Sequence, residues 1–471
     1  MFSIHVEGGA DSLRHHCGIV GISSDHEVNV PELLFYGLFS LQHRGQESAG
    51  IAYRRHGRTV SYRDVGMVAH ALSRYLEESH PSRAGIGHVR YSTHGTNVLE
   101  NAQPMVVSCN KGEIALAHNG NISNSDALAA VLTAEGSIFQ GTSDTELLLH
   151  MLARSQAPDF DSALRECLGR LEGAYSFLMM HGDSLYAIRD PFGFRPLVIG
   201  KKDGIVLVAS ETCALSMFQA EEVREIAPGE LVKIEGTRVT SEKLPFTAGR
   251  RAHCIFELIY FARPDSEIFG YSVHMTRKRM GEAIARSETV RSDIVTAVPD
   301  SGNSASLGYA AASGVPLEHG LTRNHYMGRT FIQPTPAMRE FGVRMKLHIV
   351  RQAIEGRRVT VIDDSLVRGP TSSKVVRLLK EAGAREIHLR LSSPPLRFPC
   401  FFGIDIPTRE ELISNRMGPE EIARHIGADS VRFLSMESLR SCVSNPDDFC
   451  YGCFSGEYPC PVRDAPVSRK Y

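Results

Sequence analysis

The chain lacks the features that would send it to a membrane, a polyanion or an oxidising compartment. Its 52 Lys and Arg balance 54 Asp and Glu, a formal charge of −2, so no overall field draws it to nucleic acid or to a charged membrane. No apolar run approaches the roughly 18 residues a membrane span needs. Residues 1–16 have no apolar core of the kind a secretory signal carries. Repeats and low-complexity tracts are missing. Ten cysteines in 471 residues are too sparse for a disulfide scaffold, which predicts a cytoplasmic protein with reduced thiols, some of them functional. The remainder is ordinary soluble composition, 42% apolar and 23% charged. At this length one core does not suffice, and two or more domains are expected.

The most informative stretch is VTVIDDSLVRGPTSSK, residues 359–374. Val359–Ile362 reads as a short buried strand, with Asp363 and Asp364 at its carboxyl end. A loop rich in hydroxyls and amides follows, containing Ser365, Arg368, Gly369, Thr371 and Ser372, and a helical pattern begins at Val375. Ligands of open α/β sheets bind outside the carboxyl ends of strands. Free amides at a helix start, with hydroxyls and an arginine, make a phosphate cradle. Two neighbouring acids suit ribose hydroxyls and Mg²⁺. The plain alternative is a capped helix after a buried strand. The pattern as a whole resembles the phosphoribosyl pyrophosphate (PRPP) signature of the type I phosphoribosyltransferases. Pro370 departs from that pattern, where Thr is more usual, and removes one amide from the cradle.

In the first half, Cys17 opens the strand-like CGIVGI. Leu33–Gln42 has helical spacing and runs into His43-Arg44-Gly45. Strands are expected around Gly50–Tyr53 and Gly85–Tyr91, a turn at Asn119-Gly120-Asn121, and helices at Ser143–Ala153 and Ala163–Leu171. Hairpin-like pairs follow at Ala174–Arg189 and Leu197–Ser210. Strands with interleaved helices suggest two antiparallel sheets covered by helices. CGIVGI, LQHRGQES, GHVRYST, AHNGNI and TSDTELLL, in that order, resemble the class II glutamine amidotransferase domain, an N-terminal-nucleophile hydrolase of four αββα layers. The resemblance implies that Cys17 is the nucleophile and that its own α-amine is the base. That requires removal of residues 1–16, which are therefore expected to be a propeptide. Asn119 and Gly120 would form the oxyanion hole. Arg90 would pair with the α-carboxylate of glutamine, Asp144 would hold its α-ammonium, and Arg44 and Gly45 would shape the pocket. Singly, Arg90 reads as a surface charge, Asn119-Gly120 as a hairpin turn and Asp144 as a helix N-cap.

A domain boundary is placed near residue 250. Beyond it strand and helix patterns alternate: Val273–Ala285, Ile294–Val298, Ser304–Ala312, Leu317–Leu321, Gly342–Ile354, Val359–Ile362, Thr371–Ala382, Ile387–Leu391. The alternation predicts a parallel, doubly wound sheet. By resemblance, Asp300-Ser301-Gly302 is the pyrophosphate loop, with Ser301 joining Asp363 and Asp364 around Mg²⁺. Tyr326–Ile332, with Arg329, is a segment that closes over PRPP, and Lys346 belongs to a basic pair near the phosphates. Arg323 and His325 depart from the family's Lys-Asn-Arg-Tyr. Cys450-x-x-Cys453 alone could mean zinc, redox chemistry or chance. With Cys254 and Cys400, its context resembles the iron–sulfur branch of the glutamine PRPP amidotransferases, in which four thiolates hold one [4Fe–4S] cluster. Cys442 and Cys460 lie near enough in sequence to compete for that assignment.

The resemblance, nearly chain-long, implies a two-domain α/β enzyme that takes glutamine and PRPP to 5-phosphoribosylamine, glutamate and pyrophosphate. It further implies inhibition by purine nucleotides (AMP, GMP, ADP, GDP) and a homo-oligomer, dimer or tetramer. Two other readings keep the folds: a PRPP-sensing regulator, which the intact Asp363-Asp364 pair and the complete glutaminase set argue against, and a glutaminase serving another acceptor, whose partner domain would lack VIDDSLVRG.

Overall fold

The computed structural model describes residues 17–76, 79–91, 99–246, 248–324, 347–406 and 408–462. Arg329, Lys346, the expected closing segment and the expected propeptide lie outside the described residues.

Two antiparallel sheets make the first half. One orders its strands Glu221–Glu225, Val198–Lys202, Ile205–Ala209, Gly18–Asn29, Pro81–Arg90, Ser48–Arg55 and Arg58–Val65. The other orders Arg238–Lys243, Glu230–Glu235, Ser184–Arg189, Gly173–His181, Gly112–Ile122 and Met105–Cys109. Alternate strand residues point to opposite faces. Ile19 enters the layer between the sheets, with Ile86, Ala117, Leu178 and Val208. Val20 and Ile22 point the other way, onto the helices Val30–Ser40, Val68–Leu72 and Thr212–Met217. Both faces of this strand are thus dry, which is why CGIVGI shows a continuous apolar run and no period of two. The helices Ser125–Ala134, Thr145–Arg154 and Phe160–Leu168 cover the second sheet through Leu148, Leu152, Leu164 and Phe177. The result is four αββα layers.

The second half is built on four parallel strands in the order Ile294–Ala297, Arg358–Asp363, Glu386–Leu391 and Ser430–Phe433. The helices Val273–Arg286 and Asn303–Ser313 pack on one face through Met280 and Tyr309. Pro370–Glu381 and Pro419–Ile426 cover the other through Val375, Leu379 and Ile422. Helices on both faces are what a doubly wound sheet requires. Leu317–Leu321, expected as a sheet strand, contributes only a bridge from Leu317 to Val295. Its end turns away as Leu321–Arg323, which pairs with Leu347–Ile349 in a separate ribbon.

The halves meet along Ala252–Cys254. Ala252 and Cys254 donate to the carbonyls of Phe192 and Phe194 at 2.9 and 3.1 Å. His253–Cys254 also pairs in parallel with Phe449–Cys450.

Candidate active sites

Cys17 stands at the head of its strand, beside Val89 through the Gly18–Val89 pairing. Its thiol lies 3.8 Å from the Tyr91 carbonyl. Burial pushes the thiol upward, and the nearby Arg90 guanidinium opposes that shift. The charge of Asp144 also acts on it, so the three groups expected around a glutamine do converge. Asp144 precedes the helix Thr145–Arg154 but does not cap it with its side chain. Its carboxylate instead accepts from Ile122 N at 2.8 Å and lies 3.6 Å from His118 Nδ1. Asn119 and Gly120, expected in a turn, lie within the strand Gly112–Ile122, opposite Ser176 and Tyr175. The apolar Ile114–Ala117 simply continues through them as the strand that pairs with Gly173–His181, with no hairpin. Asn119 is fully buried, and among the described residues neither its Oδ1 nor its Nδ2 has a hydrogen-bond partner. A buried amide left open in this way asks for a functional explanation.

Arg44, expected to help shape the pocket, lies against the backbone of the nucleophile. Its guanidinium is consumed inside the protein: Nε donates to the Cys17 carbonyl at 3.1 Å, Nη1 to Glu211 at 2.5 Å and Nη2 to Glu257 at 2.7 Å. It therefore holds the backbone of the nucleophile and has no donor aimed at a ligand among these contacts. Gly45 has no room for a side chain, since a Cβ there would stand 2.6 Å from the Val89 carbonyl carbon. Glu211 and Glu257 were invisible in sequence, because only the fold brings residues 167 and 213 positions away to Arg44. His118 and Thr145, 3.2 Å apart beneath the site, were missed too, although both sit inside quoted motifs.

At the second site Ser301 Oγ donates to Asp363 Oδ1 at 2.7 Å, and Asp364 N donates to the same oxygen at 2.9 Å. Ser365 Oγ donates to Asp364 Oδ2 at 2.5 Å. Both acids are buried, and burial raises both carboxyls; the charge of Asp364 raises Asp363 further. Two buried carboxylates and a hydroxyl at a strand end are hard oxygen donors of the kind that would hold Mg²⁺. Gly302 sits under the strand, where a Cβ would stand 2.1 Å from the Ile362 carbonyl oxygen. Gly369, at φ +105°, precedes the helix Pro370–Glu381. Pro370 is at that helix's first position, where an amide would have no partner within the helix and proline's fixed φ suits the start. Thr371 and Ser372 follow in the first turn. Arg368 makes an ion pair with Glu411 at 2.6 Å, and Asp300 one with Arg323 at 2.8 Å.

All ten cysteines are free thiols. Cys254 and Cys450 are register partners, Cys453 lies in the short helix Gly452–Ser455, and Cys400 Sγ accepts from Phe402 N at 3.4 Å. Burial raises the Cys453 thiol, and charges on Cys400, Cys254 and Cys450 all raise it further. The four are thus gathered at one place. Cys442 instead donates to the Ser438 carbonyl at 3.2 Å, and the acids acting on Cys460 are Asp190 and Glu172. Among the described residues no three His, Cys, Asp or Glu stand close enough to bind a single metal ion. Four neighbouring cysteine sulfurs are the donor type that iron–sulfur clusters take.

Comparison with known proteins agrees with this arrangement. Residues 88–217 match the family model described as a glutamine amidotransferase domain. Amidophosphoribosyltransferase 1, chloroplastic, of Arabidopsis thaliana is 46% identical, covering 99% of this chain and 83% of the relative. The amidophosphoribosyltransferase of Methanocaldococcus jannaschii is 43% identical, covering 95% and 98%. A solved structure of glutamine PRPP amidotransferase from B. subtilis, complexed with ADP and GMP, superimposes with a TM-score of 0.89 at 44% identity, covering 96% of this chain and 99% of that one. The chain belongs to the amidophosphoribosyltransferase family.

Proposed function

We propose that this protein makes 5-phosphoribosylamine from PRPP, glutamine and water, releasing glutamate and pyrophosphate, the first committed step of purine synthesis. What carries the reading is that one chain holds both a cysteine under the charges of Arg90 and Asp144, with the buried, open Asn119 amide on the strand whose Ile122 holds Asp144, and an adjacent acid pair at a parallel-strand end.

In the first half-reaction the Cys17 sulfur adds to the side-chain carbonyl of glutamine, and its proton passes to the α-amine freed by removal of residues 1–16. Charge on the oxygen is met by the Asn119 side chain and the Gly120 amide. Ammonia departs with that proton, and water cleaves the thioester to glutamate. Arg90 and Asp144 hold the amino-acid end. In the second, ammonia displaces pyrophosphate at the anomeric carbon. Ser301, Asp363 and Asp364 would hold Mg²⁺, which neutralises charge on the departing pyrophosphate. Thr371, Ser372 and the helix start after Gly369 suit the 5-phosphate, as Asp300–Gly302 suit the pyrophosphate.

Cys254, Cys400, Cys450 and Cys453 would hold a [4Fe–4S] cluster that ties the C-terminal segment to the rest of the fold. Iron and sulfide content with visible absorbance, all lost in Cys453→Ser, is the expected signature. Ten unpaired thiols suit the cytoplasm. Purine nucleotides are proposed as inhibitors, since the B. subtilis structure carries ADP and GMP, and a dimer or tetramer as the assembly, readable by sedimentation.

The deciding experiment measures pyrophosphate release from PRPP and Mg²⁺, once with glutamine and once with ammonia, on anaerobically purified protein. Both nitrogen donors should work, and Cys17→Ala should abolish the glutamine reaction alone. Failure with both donors in processed protein would overturn the transferase reading in favour of a regulatory one.

A further inference from the structure

Cys400 begins a loop of the second half that lies directly on the glutaminase half. Three successive residues each make a separate contact there. The Phe401 carbonyl accepts from Asn121 Nδ2 at 2.9 Å. The Phe402 ring stacks on Phe194, centroids 4.2 Å apart, and its carbonyl accepts from Arg195 Nη2 at 2.7 Å. Gly403, at φ +95°, would place a Cβ 3.0 Å from the Gly120 carbonyl carbon and 3.1 Å from its oxygen. On the other side of Gly120, a Cβ would stand 2.0 Å from the Ala174 carbonyl oxygen. The residue whose amide is expected to donate to the oxyanion is therefore packed against two stretches of backbone, one of them from the other half of the chain.

An oxyanion donor is useful only when aimed at the position that charge will occupy, and a displacement well under 1 Å weakens it. We infer that Phe401–Gly403 is a positioning element of the glutaminase, backing the Asn119–Asn121 strand so that its donors stay aimed. The inference rests on the function proposed above and adds a residue set outside the glutamine pocket. The same loop reaches the nucleophile by a second route. Arg195, which holds the Phe402 carbonyl, also donates to Glu257 at 3.1 Å, and Glu257 holds Arg44, which holds the Cys17 carbonyl. A shift of the loop is felt at both the oxyanion side and the sulfur side of the reaction, without a loop atom touching substrate.

Gly403→Ala and Asn121→Ala in the full-length, processed protein test this. The first forces a methyl against Gly120; the second removes one anchor without adding an atom. Each should lower kcat with glutamine, Gly403→Ala by about tenfold or more. KM for glutamine should change less than kcat, since neither variant touches Arg90 or the Asp144 side chain directly, and ammonia-dependent turnover should stay within about twofold. Alkylation of Cys17 by iodoacetamide, which develops no oxyanion at Asn119 and Gly120, should keep its wild-type rate. Unchanged glutamine kcat in both variants overturns the inference. So does a parallel loss of both nitrogen routes with a lowered melting temperature, which would mean the loop merely holds the fold. A wild type that uses neither donor would sink the functional reading and this inference together; an active wild type with unaffected variants sinks this inference alone.

Discussion

Asn119 and His88 show how differently two buried polar side chains of one site behave. Asn119 has no side-chain hydrogen bond to lose, so truncating it should cost little stability and much catalysis. Asn119→Ala is expected to lower glutamine kcat about 10²–10³-fold while the melting temperature and the ammonia reaction hold. Equal loss of stability and activity would contradict the oxyanion role. His88 is the opposite case, a neutral ring buried in the strand before Arg90. Its Nε2 lies 3.1 Å from the His118 carbonyl, and burial pushes its pKa down to about 3. The unfolded chain takes up a proton near the ordinary value of 6.5 and the folded one does not until about 3. Stability is therefore complete above the higher value and is lost as pH falls between the two, by about 1.4 kcal/mol per pH unit at most. Thermal melts from pH 7.5 to 5 should show a shallower acid loss in His88→Gln than in the wild type; parallel curves would remove His88 from the account. At this scale the motif residues were legible one by one. The acids Glu211 and Glu257 that engage Arg44 were not, because a long-range ion pair leaves no local spacing to read.

Elements were legible where a short pattern decided them. The strand Arg358–Asp363 and the helix Pro370–Glu381 came out within a residue of expectation, because a β-branched run, a glycine at positive φ and a proline at the first helical position all agree. Asn119-Gly120 misled for a local reason: the pair has the composition of a hairpin turn, yet it lies inside the strand Gly112–Ile122. The sheet strand Ser430–Phe433 and the helix before it were not anticipated, since four residues at a sheet edge, of which only Val431 is buried, carry little hydrophobic signal. Gly302 shows what an element boundary does for the second site. It lies where the turn after Ile294–Ala297 passes over Ile362, the residue before the acid pair. Its missing side chain sets the distance between Ser301 and Asp363. Gly302→Ala must push that strand end by more than the 2.1 Å contact allows. Pyrophosphate release should fall with glutamine and ammonia alike, with KM for PRPP rising. Labelling of Cys17 by a glutamine-like electrophile should persist. A defect confined to the glutamine route would refute this placement.

Across the whole molecule, two buried arginines and two buried glutamates form the seam between the halves. Arg44 takes both Glu211 and Glu257, and Arg195 takes Glu257 and the Phe402 carbonyl. Burial disfavours each of these charges, yet His43 and Arg44 still hold Glu211 well below the ordinary carboxylate range. The set is neutral as a whole, which is what permits it to be dry. Removing one member is costly because it strands a partner, by about 3–5 kcal/mol for a buried pair. In Glu257→Gln, Arg44 keeps Glu211, but Arg195 keeps only a carbonyl. The variant should melt several degrees lower and lose glutamine turnover more than ammonia turnover. Adding Arg195→Met removes the stranded cation, and apolar replacement of buried ions is often tolerated. The double variant should therefore regain much of the melting temperature. It should not regain the glutamine reaction, because the link from the Phe402 carbonyl to the Cys17 carbonyl stays cut. Recovery of both together would mean that the seam acts only as packing; recovery of stability alone separates its structural from its positioning work.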